Sequence, residues 1–306
     1  MKKTIYCPDI VCESCIKILT RQFDKMKGIT SFLIKKESIE MEYDPKILKE
    51  QDLLNAIHTK GYRASFSVFG KKNFSERCKE FFLEKEKYQL EYRMLWHMAL
   101  SLILLLFIQA ALCFAFHKQE PLFSVYGWWI FYLDLAIVTI GAAIWHFHAY
   151  RAQVTHMIGM MVGMTIGMVS GLMISTIVGA TNGMFIGAMI GMLVGVTVGI
   201  LNGKCCGVMG VMEGMMAGLM GGTMGPMIAL MMKYDNILLF MPFFMLVNIV
   251  ILWGLSYMLY EEVVEENPNI EKKPLAFVYF FLGCLIVSFI LGFIIIYGYK
   301  SPFGIA

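Results

Sequence analysis

Charge is missing from long parts of this 306-residue chain. Several runs of 19 or more residues carry no Asp, Glu, Lys or Arg. Each is long enough to cross a bilayer core, which takes about 20 apolar residues. With 58% hydrophobic residues and a mean hydropathy of +0.64, an ordinary soluble protein is excluded. A strongly basic surface is missing too. The 26 Lys and Arg stand against 23 Asp and Glu, and a net charge of +3 leaves no footprint for nucleic acid. The start, MKKTIYCPDI, has two lysines but no apolar stretch, so no signal peptide is expected and the N-terminal region should stay in the cytosol. The eight cysteines follow no secreted disulfide framework. There is no Asp-Lys-Thr-Gly phosphorylation motif and no large polar loop between apolar runs, which excludes a pump driven through a phosphorylated aspartate. Residues 199–204 lack the spacing and the Ser/Thr of a phosphate-binding loop. No catalytic set emerges, and no enzyme activity is expected.

What is there in excess is glycine and methionine, concentrated in residues 156–232. Every fourth residue from Gly159 to Gly207 is glycine, with the single exception of Ser175. Eighteen of the 26 methionines lie in the same segment. His156, Met160, Met164 and Met168 stand four apart, as do Met212, Met216, Met220 and Met224. On a helix, residues four apart share a face. The glycines therefore form a flat stripe for close helix packing. Beside it runs a ladder of thioether sulfurs, which suit Cu(I) better than hard cations. Methionine is also a common gap-filler, so packing stands as the alternative reading of the ladder.

Residues 1–67 read as a separate soluble domain of short alternating elements. A strand over 4–7, a helix over 15–25, a strand pair over 29–35 and 38–43, a helix over 52–59 and a last strand over 62–68 give the order βαββαβ. That is the ferredoxin-like split βαβ pattern. Cys12-Glu13-Ser14-Cys15 falls where the first loop enters the first helix. Two thiols at this spacing can converge on one ion, and a helix N-terminus stabilises their thiolates. Two thiolates make a near-linear site suited to Cu(I), whereas a closed zinc site takes four ligands and only Cys7 is near enough to add one.

These residues resemble the heavy-metal-associated domain of copper chaperones and of the N-termini of copper-transporting P-type ATPases. The shared features are the CxxC of Cys12 and Cys15, the strand pair ending in Tyr43-Asp44-Pro45, and Ala56-Ile57 followed by Gly61-Tyr62. The resemblance covers about the first 67 residues. It implies that Cys12 and Cys15 are metal ligands and that Tyr62 lies near the metal loop. Ile10 stands where that family usually has Met, and Cys7 is an additional thiol, which leaves the exact metal open.

Residues 68–93 read as a charged helical connector, and residues 94–306 as an all-α membrane bundle of about seven helices. Spans are expected over 94–116, 125–146, 156–178, 183–201, 207–232, 237–260 and 274–297. The glycine run cannot be one helix: residues 159–207 would extend roughly 72 Å, over twice a hydrocarbon core of ~30 Å. Turns are expected at residues 180–183 and 202–204. Basic residues cluster on the side shared with the N-terminus, including Arg93, Arg151, Lys204, Lys272 and Lys273, against only Lys118, Lys233 and Lys300 on the other. This places the N-terminus inside, in a cell membrane.

His156, Cys205 and Cys206 then fall on the cytosolic side, where a CxxC domain can hand over an ion. Two carboxylates lie within spans. Asp134 is mid-span, and Glu213 sits among Met209, Met212 and Met216. A charge at membrane depth costs on the order of 3 kcal/mol, so each should face a partner, as counter-charge, proton carrier or helix-to-helix hydrogen bond. The expected function is Cu(I) handling: capture at Cys12 and Cys15, with Cys7 nearby, and passage along Met160, Met164, Met168, Met212, Met216 and Met220. The alternatives are a non-transporting sensor or scaffold whose glycine bundle serves oligomerisation, and a mercuric or other soft-metal transporter, which the vicinal cysteines suggest. The expected partners are the metal ion, the bilayer, a cytosolic copper chaperone and further copies of the chain.

Overall fold

The computed structural model of this chain describes residues 2–10, 13–45, 47–67, 83, 88–116, 122–150, 154–264 and 276–301. It divides into two compact units. One comprises Met1–Tyr88 with Arg151–Thr155 and Tyr260–Glu271, and the other comprises the remaining apolar helices. Nearly all of the expected 68–93 connector, including Cys78, lies outside the described residues, as does Cys12.

The first unit holds strands β1 (Lys2–Tyr6), β2 (Ile29–Lys35) and β3 (Ser38–Tyr43) and helices α1 (Glu13–Phe23) and α2 (Glu50–His58). The strands form one antiparallel sheet in the order β1-β3-β2. β2 and β3 are joined through Lys36-Glu37, and Glu37 adopts φ 64°, as a tight hairpin turn demands. Alternation along β3 sends Ile39, Met41 and Tyr43 into the core, where they meet Leu19 and Phe23 of α1 and Leu53 and Ile57 of α2. The expected final strand is, among the described residues, a single bridge. Tyr6 N–H donates to the Ser65 carbonyl (2.8 Å), and Ser65 N–H donates back to Tyr6 (3.0 Å).

The second unit contains α3 (Gln89–Phe116), α4 (Leu122–Ala149), α5 (His156–Asn182), α6 (Met184–Gly203), α7 (Gly207–Met231), α8 (Ile237–Leu259) and α9 (Phe277–Tyr297). Among the described residues, six helical stretches are long and apolar enough to cross a membrane. One of them, the 51 residues Met184–Tyr234, contains both α6 and α7. Large hydrophobic side chains such as Phe107, Phe185, Leu239, Trp253 and Phe293 point outward along these stretches. Such a surface has no place in water, and the chain is an integral membrane protein.

The unit is built in two parts. α5, α6 and α7 pack as an antiparallel triplet, and α3, α8 and α9 gather on α4. Within the triplet, glycine meets glycine. A Cβ added at Gly167 would stand 2.9 Å from the Gly199 Cα, and one at Gly195 would stand 2.9 Å from the Gly171 Cα and 3.0 Å from the Gly218 Cα. Only hydrogen fits in that space. Ser175, the one break in the glycine series, donates its hydroxyl to the Gly221 carbonyl of α7 (3.2 Å). The chain reverses between α5 and α6 at Gly183, whose φ of 101° favours glycine. It reverses again through the turn Lys204–Cys206. The first reversal falls within the expected turn at residues 180–183, whereas the second lies beyond the expected 202–204 and shares only Lys204 with it, because Asn202 and Gly203 continue the helix.

Candidate functional site

The loop between β1 and α1 is held from below and from the side. Ile10 is buried beneath it. Asp9 accepts from Arg63 Nη2 (2.7 Å), Nε (3.1 Å) and the Arg63 backbone N–H (2.7 Å). Arg63 in turn donates through Nη1 to the Glu261 carbonyl of the same unit (2.9 Å). This Asp9–Arg63 clamp was not read from the sequence. Its partners are 54 positions apart, and neither belongs to a motif. Cys15 occupies the first turn of α1 and is buried, as is Tyr62. Cys7 ends β1 with no exposure at all. Burial first, and the neighbouring Asp9 charge second, push its thiol far above the ordinary range and keep it protonated.

A second thiol pair sits at the turn between α6 and α7. The Cys205 and Cys206 sulfurs are 3.5 Å apart. Cys205 is exposed and donates to the Asn202 carbonyl (3.4 Å). Cys206 is buried, with its sulfur toward the backbone N–H groups of Gly159 and Met160 in the first turn of α5. His156 is the first residue of that helix. The fold therefore brings the start of α5 and the vicinal cysteines together.

The methionine ladders lie differently from the expected passage. The three helices of the triplet meet through glycine backbone. Met212, Met216 and Met220 are 53%, 58% and 51% exposed on the outer face of α7. Met164 and Met168 are likewise exposed on α5, and Met160 is half-buried. The physical reason is size: only glycine allows helices this close, so the larger methionines are displaced to the rim. Glu213 is half-buried on the outer side of α7, and it makes no hydrogen bond or ion pair among the described residues.

Asp134 is wholly buried. Its Oδ1 accepts from Ser288 of α9 (2.5 Å), and Ser288 accepts from Gln109 of α3 (3.2 Å). This chain of bonds ties three helices together, while Asp134 Oδ2 has no hydrogen-bond partner among the described residues. Among the described residues, no three His, Cys, Asp or Glu side chains come close enough to hold a metal ion. No family model, curated protein or solved structure matches this chain.

Proposed function

We propose that this is a membrane protein of Cu(I) handling, with the metal captured at Cys12 and Cys15 and passed to the membrane helices. One observation carries the reading. Cys15 stands in the first turn of α1, three residues after Cys12, at the end of a loop anchored by Ile10 and the Asp9–Arg63 clamp. A thiol pair at a helix N-terminus is poised to lose its protons to a soft monovalent ion. The small sheet with two helices and the Tyr6–Ser65 bridge is compatible with the ferredoxin-like fold of heavy-metal-associated domains. Cys7 stays a protonated core thiol in this scheme. α6 and α7 are read as two spans, giving seven in all, with the N-terminus in the cytosol of a cell membrane.

Cys205, Cys206 and His156 then form the acceptor site, reached from the cytosolic domain or from a copper chaperone. The ladders Met160-Met164-Met168 and Met212-Met216-Met220, with Glu213 as counter-charge, face outward from the triplet. The passage is therefore formed where copies of the chain meet, since a carboxylate against lipid is costly. The closed glycine interior favours one rival, a scaffold or sensor whose triplet serves oligomerisation alone. The vicinal thiols favour another, a mercuric or other soft ion as cargo.

The test uses the purified full chain. Bound Cu(I) is measured in the wild type and in the Cys12→Ser/Cys15→Ser double variant, and Cu(I) movement is followed in proteoliposomes. The variant should lose its bound copper, and wild-type vesicles should move copper faster than empty ones. Copper bound equally by the double variant would overturn the capture site. Intact binding without flux would leave the sensor reading.

A further inference from the structure

Seven buried side-chain nitrogen and oxygen atoms lack a hydrogen-bond partner among the described residues, and six of them lie on α3 and α4. They are Glu91 Oε2, His97 Nδ1, Asp134 Oδ2, Trp145 Nε1 and both ring nitrogens of His146. A buried polar atom left unsatisfied is costly, because it gives up its hydrogen bonds to water and gains none in return. Five of these six, on Glu91, His97, Trp145 and His146, gather toward one end of this pair of apolar helices and mark a place built to hold something polar and exchangeable, with Asp134 Oδ2 farther along α4.

The cluster is densest where α3 begins and α4 ends. His146 is 1% exposed and Glu91 12%, and His146 Nε2 lies 3.8 Å from Glu91 Oε1. Tyr150 donates its hydroxyl to the same carboxylate oxygen and packs edge-on against the His146 ring (5.2 Å). His146 and Tyr150 are the titratable groups acting on Glu91. One turn deeper, His97 stacks with Trp145 (5.7 Å) and with Phe277 of α9 (5.3 Å). Arg93 is within electrostatic reach of His97. Other ionisable groups on these helices include Tyr92, Tyr132 and His148, with Asp134 deeper on α4 and Cys284 of α9 beside it.

Among the described residues no three acidic, imidazole or thiol groups converge here as metal ligands would. The cluster suits a smaller cation. We propose that Glu91 and His146 form a reversible proton-binding site, and that the α3–α4 layer is the proton-carrying part of the molecule, separate from the methionine and glycine triplet. With a proton on His146 Nε2, imidazolium and carboxylate neutralise each other in a low-dielectric pocket. Releasing the proton breaks one N–H bond, returns H⁺ to water and leaves the carboxylate with the Tyr150 hydroxyl alone. Asp134 is a second station on the same helix, roughly 18 Å along from His146 at 1.5 Å per residue.

Coupling of this site to cation passage rests on the transport reading; the proton site itself does not. Expelling a monovalent cation against the membrane potential requires work, and inward proton movement is a source for it.

The experiment is infrared difference spectroscopy of the purified full chain in detergent between about pH 5 and about pH 8, where an imidazole changes charge. A carboxyl signal and an imidazole signal should titrate together in the wild type. Both should be lost as a pair in Glu91→Gln and in His146→Gln, and both should persist in Asp134→Asn. Tyr150→Phe keeps both groups and removes only the donor to the carboxylate, so it should displace the midpoint while the folded circular-dichroism spectrum is retained. Survival of the paired signal in Glu91→Gln or His146→Gln, or an unmoved midpoint in Tyr150→Phe, would overturn the proposal. Copper content of the same samples reads the metal hypothesis independently: its loss with intact paired signals would overturn only that hypothesis.

Discussion

Cys7 and Cys15 show how two nearby thiols are separated by environment. Both are buried, but Cys15 lies at the start of a helix, where backbone N–H groups face an anion. Cys7 lies at the end of a strand beside Asp9, where burial and charge together oppose ionisation. The consequence is a pH dependence with a definite sign. The folded-state pKa of Cys7 is raised above its unfolded value. Its stabilising contribution is therefore complete below the ordinary thiol pKa of about 8.5 and is lost as pH rises above it. Limited proteolysis of residues 1–67 in the full chain should show resistance falling on the alkaline side of that value. Cys7→Ala should flatten this fall and leave copper binding in place. An alkaline limb of equal steepness in the variant would remove Cys7 as its cause. The sequence showed the thiols and their spacing. It did not show which one the sheet encloses, because that depends on β1 pairing with β3 and on Arg63 holding Asp9.

At the scale of elements, helix limits were legible because apolar run length and turn residues act locally. α5 ends at Asn182 and α6 starts at Met184, at the Asn-Gly break expected from the sequence. The close glycine approach was legible too, since a stripe of hydrogen side chains has little other use in a membrane helix. Its energetic weight can be measured. Gly195→Ala sets a methyl against the Gly171 and Gly218 backbones, which cannot yield as side chains do. Thermal or denaturant unfolding in detergent should show a loss of about 1–3 kcal/mol, the usual cost of overpacking. Gly283→Ala in α9, where a Cβ meets nothing within 4 Å, should be neutral or slightly stabilising. Equal effects at the two sites would contradict the packing account. The last strand of the N-terminal domain was legible only in part. A β-propensity pattern over residues 62–68 does not say how many pairs will form, and one bridge is what the described residues hold.

For the whole molecule, the outward position of the methionines carries the strongest test of function. Replacing Met212, Met216 and Met220 with leucine keeps volume and hydrophobicity nearly constant, a swap that usually costs under about 1.5 kcal/mol per site. The triple variant should fold and insert as the wild type does, because these side chains lie outside the glycine interior. Its copper flux in proteoliposomes should fall severalfold. Unchanged flux would return the ladder to packing and lipid contact.

The sequence by itself determined that the chain enters a membrane, where along it the apolar helices lie to within several residues, and which stripe lets three of them touch. Those properties follow from run length, residue size and turn chemistry, all of which act within a few residues. The tertiary structure decided which side of each helix is covered. It turned the methionines outward, joined Asp134 to Ser288 and Gln109, and set Glu91 against His146 and Tyr150, the last 59 positions away. No local pattern encodes such pairs, because their partners come from different helices and meet only when α3 and α9 pack on α4.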